Sequence, residues 1–274
     1  MKKIAGLVLL LVLGGYLLLR YLSGLSYLSD LSEEKKKELI PKAPILKFAI
    51  VSDSENENDQ LKKALDIAKS NGASFVIGLG DFTPLGVESD LMIVKKVFDD
   101  SGLKYYVTAG DRDMRDSRDN GWEATALFEQ TFGKPTHEFG ADEVGFLVLS
   151  NADIYKGIGG DDWEQLNSFV RKDYKLKFIF AHKTPYHPQS AHVMGADSAV
   201  VASQANRLIE LIEENKVDGF FSGDLHFFAR FNSPNGVKIT TIGAVNSARN
   251  FQGPRFAVVK VYGDYSWEVE DVPI

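Results

Sequence analysis

From Ile45 onward the chain alternates short β-rich runs with amphipathic stretches, and no other feature restricts its fold as much. Strand-like runs fall at Leu46–Ser52, Phe75–Leu79, Tyr105–Ala109, Val144–Ser150, Phe178–Ala181, Gly219–Ser222, Lys238–Ile242 and Phe256–Tyr262. Helix-like segments lie between them at Asp59–Ser70, Glu88–Asp100, Glu123–Phe132, Asp162–Tyr174 and Ser203–Asn215. The first of these places Leu61, Ala64, Leu65 and Ala68 on one face, as a helix packed on a sheet requires. Alternation of this kind points to an α/β fold with helices over the sheet faces. From Lys238 on, strand follows strand without a helix, so a mixed sheet is expected. No repeat of solenoid period is present.

Composition narrows the function classes. At 274 residues and 44% hydrophobic, the chain can bury a sizeable core. It has no Cys, which removes disulfides, thiol nucleophiles and Cys-based zinc or iron–sulfur sites. A formal net charge of -7 argues against a nucleic-acid partner, which calls for a basic surface.

The first residues read differently. Lys2 and Lys3 precede an uncharged, mostly apolar run from Ile4 to Leu19. A charged head before an apolar run begins both cleaved signal peptides and membrane anchors. No small-residue cleavage site follows, and Tyr21, Leu22, Tyr27 and Leu28 are bulky. A spanning helix needs about 20 apolar residues. The run reaches that length if Arg20 snorkels and Tyr21 and Leu22 sit at the interface. Residues 1–22 are therefore expected to be a single-pass membrane anchor, with a signal peptide as the alternative. Residues 23–44 read as a polar juxtamembrane stalk ending in Pro41 and Pro44, and residues 45–274 as the folded domain. Lys2 and Lys3 favour a cytoplasmic N-terminus and a domain on the extracytoplasmic side, although Arg20 and the Lys35-Lys36-Lys37 run weigh the other way. Oligomeric state is not legible.

In α/β folds ligands gather where strand C-termini open into loops. Five strand-like runs each deliver carboxylate or imidazole there. They end in Asp53-Ser54-Glu55, Gly80-Asp81, Gly110-Asp111-Arg112-Asp113, His182, and Gly223-Asp224-Leu225-His226. A single Asp after a strand is usually a turn or cap residue. Five equivalent positions point to a built site.

In this order the residues resemble the calcineurin-like metallophosphoesterases, whose pattern is D-x-H, G-D, G-N-H-[DE], a lone H, and G-H-x-H. The resemblance runs from Leu46 to about Gly243. It implies a metallophosphoesterase-like αββα sandwich of two mixed sheets, with two divalent metal ions (Mn, Mg, or Fe/Zn) in a cleft at the sheet ends. It assigns Asp81 as the bridging ligand, Asp53 and His226 to one ion, and His182 to the other. Two cations about 3.5–4 Å apart clamp a phosphoryl group and activate water.

Four positions depart from the family pattern. Glu55 stands for the histidine of D-x-H, Asp111 for the asparagine, Arg112 for the histidine that follows it, and Asp224 for the first histidine of G-H-x-H. Glu55, Asp111 and Asp224 each remain able to bind metal. Arg112 can stabilise phosphoryl charge but has no proton to give near neutral pH. Asp113 matches the acidic residue that follows, expected as a supporting hydrogen-bond acceptor, so the candidate catalytic residues are Arg112 and Asp113. Asp53, Glu55, Asp81, Asp111 and Asp224 together leave two divalent ions with one net negative charge, which Arg112 or Lys183 can offset. Oxygen-rich ligands favour Mg, Mn or Ca over zinc. Gly223–Arg230 also resembles the purple-acid-phosphatase form of the last motif, with Arg230 read as structural. Pro84 stands where that subgroup has its iron-binding tyrosine. His187 and His192 follow His182 in a Pro-rich loop and read as exposed loop residues, with a place at the substrate mouth as the alternative, and His137 reads as structural.

Two functions follow. One is a membrane-anchored, metal-dependent phosphoester hydrolase, acting on a monoester or diester of unknown identity. The other is an inactive binding or scaffold protein on the same fold. For the anchor, the full-length chain is expected to sediment with membranes and resist carbonate extraction. A mature N-terminus between Gly24 and Pro44, read by terminal sequencing, would show a cleaved signal instead.

Overall fold

The computed structural model describes residues 17–18, 20–21 and 43–274. The expected anchor and stalk lie almost wholly outside the described residues. Among the described residues no helix is long and apolar enough to cross a membrane.

Within 44–274 the elements run β1 (Leu46–Val51), α1 (Asn58–Ser70), β2 (Phe75–Gly78), α2 (Glu88–Ser101), β3 (Lys104–Val107), α3 (Arg115–Asp119) and α4 (Ala126–Phe132). They continue with β4 (His137–Ala141), β5 (Val144–Leu149), α5 (Gly160–Val170), β6 (Leu176–Ala181), α6 (Ala199–Glu214) and β7 (Gly219–Ser222). The last strands are β8 (Ala229–Asn232), β9 (Lys238–Thr241), β10 (Arg255–Val261) and β11 (Trp267–Pro273). One sheet has the order β11-β10-β1-β2-β3 and the other β4-β5-β6-β7-β9-β8. Both are mixed. β1, β2 and β3 pair in parallel, whereas β10 pairs antiparallel with both β1 and β11. β5, β6, β7 and β9 are parallel between antiparallel edges β4 and β8.

The two-residue period of each strand divides its side chains between layers. In β1, Phe48 and Ile50 face the second sheet, whereas Ala49 and Val51 face helices. Between the sheets the core is aromatic. Phe48 stacks on Phe75 at 5.2 Å and meets Phe146 edge-on at 5.3 Å, and Phe180 stacks on Phe221 at 5.0 Å. Such pairs add about 0.5–1.5 kcal/mol each beyond area burial. Helices α1, α2 and α4 cover the outer face of the first sheet through Leu61, Leu65, Leu91, Phe98 and Phe128. Helices α5 and α6 cover the second through Trp163, Leu166, Phe169, Leu208 and Ile212. This is the expected αββα layering of two mixed sheets.

Several elements escape the sequence pattern. β4 and β5 form a hairpin whose two turn residues, Asp142 and Glu143, both have positive φ (48° and 63°). The turn geometry is that of a primed two-residue hairpin, made without glycine. β11 carries Glu268, Glu270 and Asp271, which hide its period. It is an edge strand, where charge is tolerated, and Glu268 and Glu270 meet Lys260 of β10. Helix α6 begins four residues before the expected Ser203, because Ser198 accepts a hydrogen bond from the Val201 N–H at its N-terminus.

The loops after β2 and β3 touch. Gly80 has φ +93°, and a Cβ there would lie 2.1 Å from Gly110 N. A Cβ on Gly110 would lie 2.1 Å from Asp81 Oδ1. Only glycine at both positions lets the Asp81 and Asp111 loops approach. Gly80→Ala is therefore expected to cost about 2 kcal/mol or more, lowering Tm by about 4–8 °C in a domain of this size. Gly121 (φ +75°) has nothing within 4 Å of the place its Cβ would take, so Gly121→Ala should cost only the left-handed backbone penalty of about 1 kcal/mol. Thermal melts of the two variants check the order.

Candidate metal centre

The loops after β1, β2, β3, β6 and β7 bring Asp53, Glu55, Asp81, Asp111, His182, Asp224 and His226 together at one end of the two sheets. Backbone pairing holds the loops in place. The Asp53 N–H donates to the Gly80 carbonyl at 2.9 Å, the Glu55 N–H to the Asp81 carbonyl at 3.0 Å, and the Gly223 N–H to the His182 carbonyl at 2.9 Å. Asp53, Glu55, Asp81, Asp224 and His226 all have left-handed backbones, with φ of 55°, 41°, 51°, 65° and 59°. Each such residue costs of order 1–3 kcal/mol unless its surroundings over-determine it, and clusters of them mark functional sites.

The carboxylates fall into two groups that share His182. In the first, ligand atoms of Asp53, Asp81 and His182 lie within 4.8 Å of one another. The His182 Nδ1–H donates to the Leu79 carbonyl at 2.8 Å, which turns Nε2 toward Asp81 Oδ1 at 3.6 Å. A ring held this way by a backbone carbonyl is a common arrangement of a metal-ligating histidine. Asp53 Oδ1 and His182 Nε2 are buried and have no hydrogen-bond partner. Burial pushes Asp53 up, and pushes Asp81 well above the usual carboxylate range despite the pull of His182. Burial disfavours the His182 imidazolium, but Asp81, Asp111 and Asp224 outweigh it and raise its pKa well above the ordinary value. Among the described residues no lysine or arginine forms an ion pair with Asp53; the His226 ring lies 3.6 Å from Asp53 Oδ1, and the Asp224 N–H donates to Asp53 Oδ2 at 3.1 Å.

In the second group, Asp111, His182 and Asp224 converge in the same way. Here a cation sits between the carboxylates. Lys183 Nζ lies 3.0 Å from Asp111 Oδ1 and 3.1 Å from Asp224 Oδ1. Burial would raise both carboxylates, yet His182 and Lys183, joined by His192 at Asp224, hold them below their ordinary range. His192 Nε2 lies 3.2 Å from Asp224 Oδ2 on the exposed side.

Arg112 Nε lies 3.1 Å from Asp81 Oδ2 and 3.3 Å from Glu55 Oε1, and the Arg112 N–H donates to Asp81 Oδ1 at 2.9 Å. His226 Nε2 is 3.4 Å from Glu55 Oε1. Asp113 stands behind the cleft. Its carboxylate accepts from the Phe82, Thr83 and Gly110 N–H groups and from Thr83 Oγ1, at 2.9–3.3 Å, which ties the β2 loop to the β3 loop. It is fully buried and supports the site from behind, apart from Arg112, its neighbour among the expected catalytic residues.

Other sequence candidates divide. His187 accepts from the Gln189 and Ser190 N–H groups and packs edge-on at 4.6 Å from Phe231, away from the carboxylates. His137 Nε2 meets the Val107 carbonyl at 3.1 Å, a structural contact. Arg230 is exposed over Phe228. Sequence reasoning misses Arg249, whose Nη2 lies 2.8 Å from Glu55 Oε1. It comes from the loop after β9, 194 residues away in sequence, and no local motif marks it. Arg115 is also missed and lines the cleft, which encloses about 500 Å³ in front of Asp81, Asp111, Lys183 and Asp224.

The donor set suits a hard divalent ion in the first group: two carboxylates, one imidazole, and two buried atoms lacking a partner. The second group has the same donor types and, in His182 Nε2 and Asp224 Oδ2, also two buried atoms without a hydrogen-bond partner; it differs in having the Lys183 ammonium between its carboxylates.

Comparison with known proteins agrees. Among solved structures, a dimetal phosphatase from Danio rerio superposes with a TM-score of 0.66 at 14% identity, covering 84% of this chain and 97% of that one. A purple acid phosphatase from yellow lupin gives 0.57 at 15%, covering 82% and 51%. GAP50, the anchor in the inner membrane complex of Plasmodium, gives 0.57 at 15%, covering 84% and 89%. Likeness at this identity shows the fold. No curated protein matches in sequence. The family model for calcineurin-like phosphoesterase matches residues 46–228, and the chain belongs to that family.

Proposed function

We propose that this protein is a metal-dependent phosphoester hydrolase, tethered to a membrane by its N-terminal apolar run with the folded domain on the extracytoplasmic side. The observation that carries the reading is the Asp53–Asp81–His182 group, where buried Asp53 Oδ1 and His182 Nε2 converge without hydrogen-bond partners. The family's divalent ions supply Lewis acidity when bound. Asp53, Asp81 and His182, with His226 and Glu55 beside them, would hold the ion. The Leu79 carbonyl fixes the His182 tautomer through Nδ1.

The remaining residues bind and orient. Arg112 and Arg115 line the cleft and offer guanidinium groups to phosphoryl oxygens. Arg112 neutralises charge without supplying a proton, so a leaving group would take its proton from water or another donor, or leave as a good anion. His192, on the exposed side of Asp224, is a titratable donor at the mouth. Asp113 keeps the two loops at their spacing. The tether favours substrates at a membrane surface.

A binding module without turnover is the second reading. It is favoured by one observation, that Arg112 bridges Glu55 and Asp81 where the family pattern has a histidine.

The test combines stability and turnover. A ligand that binds only the native state stabilises it by about 2.7 kcal/mol at 100 times its Kd, or about 5–10 °C in Tm here. Mn²⁺ or Mg²⁺ should produce that gain, and Asp81→Ala should remove it. The wild-type protein should hydrolyse aryl phosphomonoesters or diesters with Mn²⁺, and Asp81→Ala should fall to background. A Tm shift without hydrolysis of any phosphoester would favour the binding module.

A further inference from the structure

Two cation positions in one cleft differ in what already fills them. At Asp53, Asp81 and His182 no lysine or arginine among the described residues stands between the ligand atoms: the Arg112 guanidinium touches this group only at Asp81 Oδ2, at 3.1 Å, and Asp53 Oδ1 and the shared His182 Nε2 have no hydrogen-bond partner. At Asp111, His182 and Asp224 the ammonium of Lys183 stands 3.0 and 3.1 Å from the two carboxylates. It occupies the space between the two oxygens that a second ion would need.

Lys183 is built into this place. Its backbone N–H donates to Asn151 Oδ1 at 3.0 Å, and its carbonyl accepts from Asn151 Nδ2 at 2.7 Å. Asn151 is fully buried just after β5. This two-point clamp fixes the segment after β6 against the neighbouring strand end and aims the side chain into the cleft. The Lys183 side chain is 9% exposed, so its charge is held among the carboxylates and out of bulk water. Removing one partner of a buried ion pair leaves an uncompensated charge, so displacing Lys183 would be costly.

We infer that Lys183 is a tethered cation standing in for the second metal, so that the protein holds one divalent ion, at Asp53, Asp81 and His182. The inference rests on the metal-dependent reading above and specifies its stoichiometry. Lysine carries one charge where an ion would carry two. It also keeps Asp111 and Asp224 compensated when no metal is bound. Phosphoryl oxygens would then meet the ammonium as a point charge, a role lysine fills at many phosphate sites.

The experiment measures metal content. Purified full-length protein is equilibrated with Mn²⁺, desalted, and assayed for Mn per chain by elemental and native mass spectrometry. The expected result is one Mn in the wild-type protein and two in Lys183→Met. The double variant Asp111→Asn/Lys183→Met removes one charge of each sign and guards against misfolding of the single variant. It should also exceed one. Two Mn in the wild-type protein overturns the inference and leaves the metal-dependent hydrolase standing. One Mn in every variant also overturns it, because something other than Lys183 then limits loading. No Mn in any form overturns both the inference and the reading beneath it.

Discussion

Five carboxylates, from Asp53, Glu55, Asp81, Asp111 and Asp224, share one cleft, and most of their surface is out of water. Buried charge is stable only when paired or bound to metal. The other polar features at this end of the molecule answer that requirement. Arg112 serves Glu55 and Asp81, Arg249 serves Glu55, Lys183 serves Asp111 and Asp224, and His192 serves Asp224. Buried atoms still without a hydrogen-bond partner are Asp53 Oδ1, Asp224 Oδ2, His226 Nδ1 and His182 Nε2, which both groups share; of the carboxylates, Asp53 is the one that no lysine or arginine among the described residues pairs with. Internal pairing thus answers most of the electrostatic problem, and a divalent ion at Asp53, Asp81 and His182, as proposed above, would answer the rest.

The scaffold holds this arrangement together against repulsion and strain. Left-handed backbones at Asp53, Glu55, Asp81, Asp224 and His226 persist because the loops pair with one another and rest on strands locked by the aromatic core. Gly80 and Gly110 allow two loops to meet, and Asp113 fastens them from behind. Asn151 does the same for the strand end that carries His182 and Lys183. Behind the ligands these loops are tied by buried hydrogen bonds, isolated from competing water.

Much of this is legible in the sequence where the signal is local. The strand–helix alternation marks the sandwich, and the five strand ends mark all seven candidate ligands, which do converge. Asp113 pairs with Arg112 in the sequence because they are neighbours in the chain, but adjacent residues on a tight loop point to different sides. Lys183 can be named as a counter-ion, while its two carboxylate partners cannot, since they come from the β3 and β7 loops. Arg249 leaves no trace, because only the tertiary fold brings it to Glu55. The β4–β5 turn and β11 are hidden by charged residues in positions that the structure exposes, where hydrophobic period carries no information.

If Lys183 stands in for the second ion, one group in the cleft needs a metal ion and the other does not. An anomalous-difference map from crystals of the wild-type protein grown with Mn²⁺ tests it most directly. A single peak within coordination distance of Asp53, Asp81 and His182, with Lys183 still between Asp111 and Asp224, is the predicted result. A second peak of comparable height between Asp111 and Asp224, with Lys183 displaced, would contradict it.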